Sequence, residues 1–121
     1  MFYKGGEELI SEGLAFGEIV IQGKSYRDDV FLGYGEPQPW QRIEPHQVVL
    51  EDVQELIPSD VCYVVFGTGF TGRMVVSPVV AEHLHKKGIA CVEQKTPQAL
   101  ETYEKLLSKG EKAVAFLHLG C

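Results

Sequence analysis

Residues 61–119 read VCYVVFGTGFTGRMVVSPVVAEHLHKKGIACVEQKTPQALETYEKLLSKGEKAVAFLHL. Three short, largely apolar runs, at 61–66, 89–93 and 113–119, alternate here with two helix-like segments. Runs of this length that are rich in β-branched and aromatic residues are typical of strands covered on both faces. Successive strands joined by crossover helices lie parallel to one another. The stretch therefore predicts a parallel βαβαβ unit whose first strand lies inside the sheet.

Both helix-like segments carry start and stop signals. Each begins at a hydroxyl residue followed by proline. This pair is a start signal because a hydroxyl group can cap the free amides of the first turn and proline suits the first helical position. Each ends at a glycine, the residue that most readily closes a helix. The signals are Ser77, Pro78 and Gly88 for the first helix, and Thr96, Pro97 and Gly110 for the second. The residues predicted to face the core are Val80, Leu84, Leu100, Tyr103 and Leu107.

The first half of the chain has a different pattern. The segment from Glu18 to Leu32 predicts a β-hairpin that turns near Gln22 to Lys24. Residues 33–46, GYGEPQPWQRIEPH, contain three prolines and predict a loop. From Leu50, apolar residues at helical spacing predict a helix of about two turns that Pro58 ends. A hairpin joined to a parallel sheet predicts one mixed α/β domain over residues 1–121.

Composition excludes several classes of protein. The chain has 121 residues, 45% of them hydrophobic, and a net charge of -6. This length predicts one domain with its own core. The acidic balance and the lack of a Lys/Arg cluster argue against nucleic-acid binding. The first residues, MFYKGGEELISEG, resemble neither a signal peptide nor a presequence, and no apolar run is long enough for a bilayer. We expect a cytoplasmic protein without membrane insertion.

The three cysteines do not predict a disulfide framework, because their number is odd. Cys62 and Cys91 lie in strand-like runs and are predicted to be buried thiols. Cys121 lies three residues after His118, so that His118 is a candidate base for a reactive Cys121 thiol. A structural zinc site usually needs two close pairs of ligands, and no second suitable pair is present, so the sequence predicts no metal site.

A glycine-rich loop follows the first parallel strand. Gly67, Gly69 and Gly72 have the G-x-G-x-x-G spacing of a dinucleotide-binding turn. Four residues separate Gly72 from the helix start at Ser77, however, which displaces the amides that would hold a pyrophosphate. The sequence therefore predicts no cofactor. One alternative stays open, an anion or carboxylate site formed by Gly67, Thr68, Gly69, Arg73 and Ser77.

The proline-rich loop carries a second candidate surface. Trp40 and Arg42 are residue types that often anchor protein interfaces. The alternative is that Trp40 covers the edge of the core. Four carboxylates lie at predicted turns or helix starts, where acidic residues are common, and give no sign of an acid–base pair: Asp28, Asp29, Glu51 and Asp52.

Several of these motifs, taken in order, resemble one small domain family. They are IVIQGKSY, Trp40-x-Arg42 with His46, Gly67-Thr68-Gly69, Val76-Ser77-Pro78, Lys86-Lys87-Gly88-Ile89, Thr96-x-x-Ala99 with Tyr103, and His118-x-x-Cys121. The match runs from Phe16 to Cys121. The family is the domain of unknown function shared by the adipogenesis-associated Mth-type domain proteins and mitochondrial complex I assembly factor three. Gly120 stands where these proteins usually have a threonine.

The resemblance implies a compact three-layer α/β domain with a mixed central sheet. It also implies that most members have no known catalytic activity, and that the mitochondrial branch acts through protein contacts during assembly of the respiratory NADH dehydrogenase. Two functions are therefore expected. The first is a non-enzymatic interaction or assembly module, in which Trp40, Arg42 and His46 contact an unidentified protein partner. The alternative is a small-molecule or anion-binding protein, or an undetected enzyme, that uses the loop from Gly67 to Ser77.

Overall fold

The computed structural model describes residues 11–121, so the prediction about a leader segment largely falls on residues outside this range. Within it, neither α-helix has the length and apolar character needed to cross a bilayer. A single 3-10 turn lies at Leu50–Asp52. The helices are α1 (Pro78–Lys86) and α2 (Thr96–Ser108). The strands are β1 (Ser11–Ala15), β2 (Glu18–Ile21), β3 (Lys24–Tyr26), β4 (Val30–Leu32), β5 (Gln38–Pro39), β6 (Gln47–Val48), β7 (Tyr63–Gly67), β8 (Val75–Val76), β9 (Ala90–Gln94) and β10 (Ala113–Leu117).

The central sheet of the described chain has five strands in the order β5-β4-β10-β7-β9. Strand β7 pairs in parallel with both β10 and β9, which confirms the βαβαβ unit and the inner position of its first strand. Strand β4 pairs antiparallel with β10, so the sheet is mixed. Strands β1, β2 and β3 form a separate antiparallel sheet, and β6 pairs in parallel with β8 in a short ribbon.

Both faces of the three inner strands, β4, β10 and β7, are buried, and side chains alternate between these faces along each strand. In β10, Val114 and Phe116 face a cluster that includes Val80 and Leu84 of α1. Ala113, Ala115 and Leu117 face the opposite cluster, which includes Leu100 and Tyr103 of α2 together with Ile19 of the hairpin sheet. The predicted three-layer α/β architecture with a mixed central sheet is confirmed.

The predicted hairpin is also confirmed, with its turn at Gln22 and Gly23, both at positive φ. Its second strand ends at Tyr26. Val30–Leu32 does not extend the hairpin and instead forms β4 of the central sheet, where all three residues are buried. This assignment follows from burial, because a strand whose two faces are both covered belongs inside a layered core.

The predicted two-turn helix after Leu50 is wrong. An α-helix would need the carbonyl of Asp52 to accept the amide of Leu56. That carbonyl instead accepts the indole N–H of Trp40 at 3.0 Å, and the Leu56 amide donates to Val53 at 2.9 Å. The buried indole therefore competes for an oxygen that helix propagation requires.

Two further local predictions differ from the structure. Ser77 caps α1 as predicted, with its hydroxyl accepting the amide of Val79. Thr96, by contrast, lies within α2, and Lys95 precedes the helix without a side-chain cap. Cys62 is exposed rather than buried, because it precedes β7 instead of lying inside it, while Cys91 is half-buried.

Candidate functional site

The candidate site lies at the carboxyl ends of the parallel strands, the edge where open α/β sheets usually bind ligands. His118 follows β10 directly, and Gly67 and Thr68 stand at the end of β7. Thr96, the first residue of α2, connects the end of β10 to the end of β7. Its hydroxyl donates to the carbonyl of His118 at 2.6 Å and accepts the amide of Gly69 at 2.9 Å.

A carboxylate from the start of β4 orients the imidazole of His118. One oxygen of Asp29 lies 2.8 Å from Nδ1 of His118, and the other accepts the amide of Leu119 at 2.7 Å. Burial favours the neutral acid, but the hydrogen bonds from His118 and Leu119 outweigh it and hold the pKa of Asp29 below its usual value. Asp29 is therefore a carboxylate that accepts the Nδ1 proton of His118.

Arg42 packs against the same carboxylate. Its Nη2 lies 2.8 Å from the Asp29 oxygen that also contacts His118, and only 5% of its side chain is exposed. Nε and Nη2 also donate to the carbonyl of Pro45, at 3.1 and 2.6 Å. The guanidinium carbon lies 4.6 Å from the ring centre of Trp40, which is itself buried in the core. The structure thus favours the alternative in which Trp40 belongs to the core.

Two nitrogens of this cluster are buried and have no hydrogen-bond partner in the described chain, Nη1 of Arg42 and Nε2 of His118. Because Nδ1 of His118 donates to Asp29, Nε2 of the neutral ring carries a lone pair. A lone pair held in place by a carboxylate can accept a proton or bind a metal ion. His118 is 8% exposed, which makes an unsatisfied nitrogen there costly.

Cys121 and His46 complete the cluster. Nε2 of His46 lies 3.4 Å from the sulfur of Cys121, and the rings of His46 and His118 are 5.8 Å apart in an edge-on arrangement. One nitrogen from each histidine and the sulfur lie within 4.8 Å of one another. The sequence paired Cys121 with His118, whereas the structure adds His46 as the imidazole in contact with the thiol.

Gly69 allows the segment that carries Cys121 to approach. It has a φ of 106°, and a Cβ built on it would lie 2.4 Å from the carbonyl carbon of Cys121 and 2.9 Å from Cδ2 of His118. A Cβ on Gly120 would lie 3.4 Å from Nε2 of His118. Two positions without side chains therefore flank one edge of the imidazole ring.

The glycine loop that the sequence singled out for anions uses its amides inside the protein. The amide of Phe70 donates to Gly120, and those of Thr71 and Arg73 donate to the main-chain oxygen of Cys121, at 2.8, 3.2 and 3.1 Å. The side chain of Arg73 is exposed. The anion site at Gly67, Thr68, Gly69, Arg73 and Ser77 stays a prediction, and these hydrogen bonds leave it few free main-chain donors.

A cleft of about 570 Å³ opens beside the Asp29 cluster. Arg42 and His118 line it together with Asp28, Gln41 and Gly120. Charged groups from the hairpin side and main chain from the end of β10 thus share one concave surface.

Two residues of the site were missed at the level of sequence. Asp29 looked like an ordinary turn carboxylate, and His46 was associated with Arg42 rather than with Cys121. The contact of Asp29 with His118 depends on the antiparallel pairing of β4 with β10, which places residue 30 opposite residue 117. A buried strand immediately after Asp29 was the available signal, because a carboxylate next to a covered strand needs a partner.

The fold belongs to the class of three-layer α/β domains with a mixed sheet, and solved structures share it. A conserved hypothetical protein from Pyrococcus horikoshii superimposes with a TM-score of 0.80 at 22% identity, over 93% of this chain and 99% of that one. An Mth938-like domain protein from Bordetella pertussis gives a TM-score of 0.76 at 15% identity, over 92% and 85% of the two chains. A protein from Bartonella henselae described as an outer membrane protein gives 0.78 at 19% identity, over 94% and 97%.

Residues 11–118 match the family described as "Protein of unknown function (DUF498/DUF598)", and the chain belongs to that family. This confirms the resemblance to Mth-type domain proteins that the ordered motifs indicated. At identities of 15 to 22%, the solved structures establish the shared fold only.

Proposed function

We propose that the protein is a non-enzymatic interaction module that binds a protein partner through the loop at residues 40–46 and the ribbon beside it. The observation that supports this most directly is the exposure of Ile43, 71% of which faces solvent although the loop around it is firmly held. Large apolar side chains that are fixed and exposed are typical of recognition surfaces.

Three contacts hold this loop in place. The Trp40 indole is buried and donates to Asp52, and Arg42 donates twice to the carbonyl of Pro45. The amide of Ile43 itself donates to the carboxylate of Asp52 at 3.1 Å. A loop that is already ordered loses little entropy when a partner binds, so its apolar side chain contributes more of its burial energy to affinity.

The neighbouring ribbon extends the apolar surface. Glu44, next to Ile43, forms a bridge to Gln47, and Gln47 pairs with Val75. Val75 and Val79 are each 58% exposed. We call Ile43, Val75 and Val79 the ribbon surface. In this proposal Trp40 and Arg42 act from beneath as supports, and His46 lies beside the surface.

The resemblance to proteins that include a complex I assembly factor supports an assembly role for such a surface. The partner in this proposal is a protein, not nucleic acid, because the net charge is -6. A cytoplasmic location remains the expectation that accompanies it.

Capture of partners from extract of the native host tests this function. The wild-type domain should retain a defined protein, and the double variant Ile43→Glu, Val75→Glu should lose it, because two charges would be buried at the interface. Phe16→Glu is the matched control, since Phe16 is 69% exposed and lies in the turn between β1 and β2. Equal capture by wild type and the double variant, or no capture by wild type, would contradict the proposal.

A second candidate is small-ligand binding in the cleft, which its volume and its position near the strand ends favour. Titration with phosphate and with acetate, followed by backbone amide shifts, would separate two locations. Saturating shifts at Arg42 and Gly120 support the cleft, and shifts from Gly67 to Ser77 support the glycine loop. Unchanged spectra at millimolar anion would contradict both.

A further inference from the structure

We infer that His46, His118 and Cys121 form a binding site for a borderline-soft divalent metal ion, with Zn²⁺ as the expected occupant. The inference goes beyond the proposed interaction role, because the ribbon surface contributes none of the three ligands. It joins an imidazole from the loop before β6 to an imidazole and a thiol at the end of β10.

The spacing of the three groups suits a tetrahedral ion. With bonds of about 2.0 Å to nitrogen and 2.3 Å to sulfur, tetrahedral ligands stand roughly 3.3 to 3.7 Å apart. Nε2 of His46 and the sulfur of Cys121 are already 3.4 Å apart. All three ligand atoms lie within 4.8 Å of one another, so no pair of them needs to close by more than about 1.5 Å to complete the geometry.

An independent observation points to a ligand at this place. Nε2 of His118 is buried and lacks a partner in the part of the chain that the structure describes. The ring edge that carries it is flanked by Gly69 and by Gly120, the residue before Cys121. A bound ion would satisfy this nitrogen, which otherwise has a lone pair removed from water.

The environment of His118 also matches that of a metal ligand. Histidines that bind metals usually donate their second ring N–H to a carboxylate, which fixes the tautomer and raises the basicity of the ligand nitrogen. Asp29 accepts the Nδ1 proton at 2.8 Å and is itself held by the amide of Leu119. Arg42 pairs with the same carboxylate, so that Asp29 stays beside His118.

The donor types select the class of ion. Two imidazoles and a thiolate favour Zn²⁺ and its neighbours over Mg²⁺ or Ca²⁺, which prefer oxygen. The sulfur binds as a thiolate, and its proton passes to solvent. Three protein ligands leave a fourth position for water, and this position can be reached because His46 and Cys121 are only partly buried.

The test is metal binding by the intact chain. Zn²⁺ affinity is measured by competition with a chromophoric chelator, and Co²⁺ is added separately to report sulfur ligation through its thiolate charge-transfer band. Wild type should bind one ion and show the band. Cys121→Ser should lose the band and weaken Zn²⁺ binding by at least about 100-fold, and His46→Gln should weaken it comparably.

Matched controls use the same residue types outside the cluster. Cys62→Ser removes an exposed thiol, and His85→Gln removes an exposed imidazole. Both should retain wild-type affinity. Thermal unfolding without metal establishes that each variant is folded, and His46→Gln lies on a partly exposed loop where loss of folding is not expected. Unchanged Zn²⁺ affinity in Cys121→Ser, or the absence of a thiolate band in wild type, would overturn the inference.

Discussion

Asp29 and His118 are 89 residues apart in the chain, yet a carboxylate oxygen of the first lies 2.8 Å from Nδ1 of the second. The contact joins the residue before β4 to the residue after β10, at the point where these strands pair antiparallel. Asp29 therefore links the hairpin half of the protein to the parallel half and sets the tautomer of the buried imidazole.

The lowered pKa of Asp29 predicts a particular dependence of stability on pH. Because the folded-state pKa lies below the ordinary 3.8, the ionised carboxylate stabilises the fold above that value, and the contribution disappears as pH falls through the folded pKa. We expect Asp29→Asn to flatten the acid limb of the unfolding free energy measured in urea between pH 5 and pH 2. Asp28→Asn, at an exposed neighbour, should keep the wild-type slope. Identical slopes for all three proteins would contradict this.

Arg42→Met should destabilise the protein by about 1.5 to 3 kcal/mol, because it removes a charge-assisted hydrogen bond from a partly buried carboxylate. The side chain of Arg42 is 5% exposed and lies 2.8 Å from Asp29. Arg27→Met is the control, since Arg27 is 79% exposed and its ion pair with Glu18 is 3.7 Å long. That change should cost less than about 1 kcal/mol. Urea denaturation of both variants measures the difference, and equal costs would refute the assigned role of Arg42.

Thr96→Val tests the hydroxyl that joins two strand ends. Valine keeps the shape but leaves the amide of Gly69 and the carbonyl of His118 without the hydroxyl, at about 1 to 3 kcal/mol for each buried group. Thr96→Ser retains the hydroxyl and should keep most of the stability. Hydrogen exchange at Gly69 should accelerate in the valine variant only. Protection that is the same in both variants would show that the bond contributes little.

Gly69→Ala should cost more than the same change at Gly110. Both glycines have positive φ, 106° and 79°, so alanine is strained at each by about 1 to 2 kcal/mol. At Gly110 the added methyl meets nothing within 4 Å, whereas at Gly69 it meets the carbonyl carbon of Cys121 at 2.4 Å. We expect Gly69→Ala to cost about 1 to 3 kcal/mol more than Gly110→Ala, because the added methyl group must displace the backbone at Cys121. A cost at Gly69 no larger than at Gly110 would mean that the segment moves freely.

Alkylation should distinguish two of the cysteines. Burial raises the pKa of the Cys91 thiol to about 11, and the charge of Glu93 adds to the effect. Cys62 is exposed. With iodoacetamide at pH 8, peptide mass spectrometry should find Cys62 modified well before Cys91, because only the thiolate reacts. Faster modification of Cys91 would contradict its assigned burial.

Most elements from residue 61 onward could be predicted because their signals are local; the two-residue strand β8, which pairs with β6, was not among them. Apolar runs of strand length, Ser77 with Pro78, and the closing glycines each act within a few residues, and β7, α1, β9, α2 and β10 follow from them. The segment after Leu50 could not be predicted in this way. Its apolar residues do have helical spacing, but the indole of Trp40 donates a hydrogen bond to the carbonyl of Asp52, which a helix would use.

The candidate site was less predictable than the fold, because it depends on strand order. Two glycines of the G-x-G-x-x-G spacing, Gly69 and Gly72, lie at positive φ. The lack of a side chain at Gly69 allows the backbone of Cys121 to lie close to it, and no pattern in the neighbouring sequence predicts this contact. The meeting of His46 with Cys121 likewise requires the loop before β6 to lie beside the end of β10.

The position of β10 has a consequence for synthesis. Among the described strands, the pairs β5-β4 and β7-β9 are joined only through β10, although β10 comes after all four of them in the chain. Until residue 117 has left the ribosome, β4 and β7 each expose an unpaired apolar edge, the kind of surface on which nascent chains aggregate. The centre of this sheet is therefore completed last, and the emerging protein is expected to depend on chaperones during that interval.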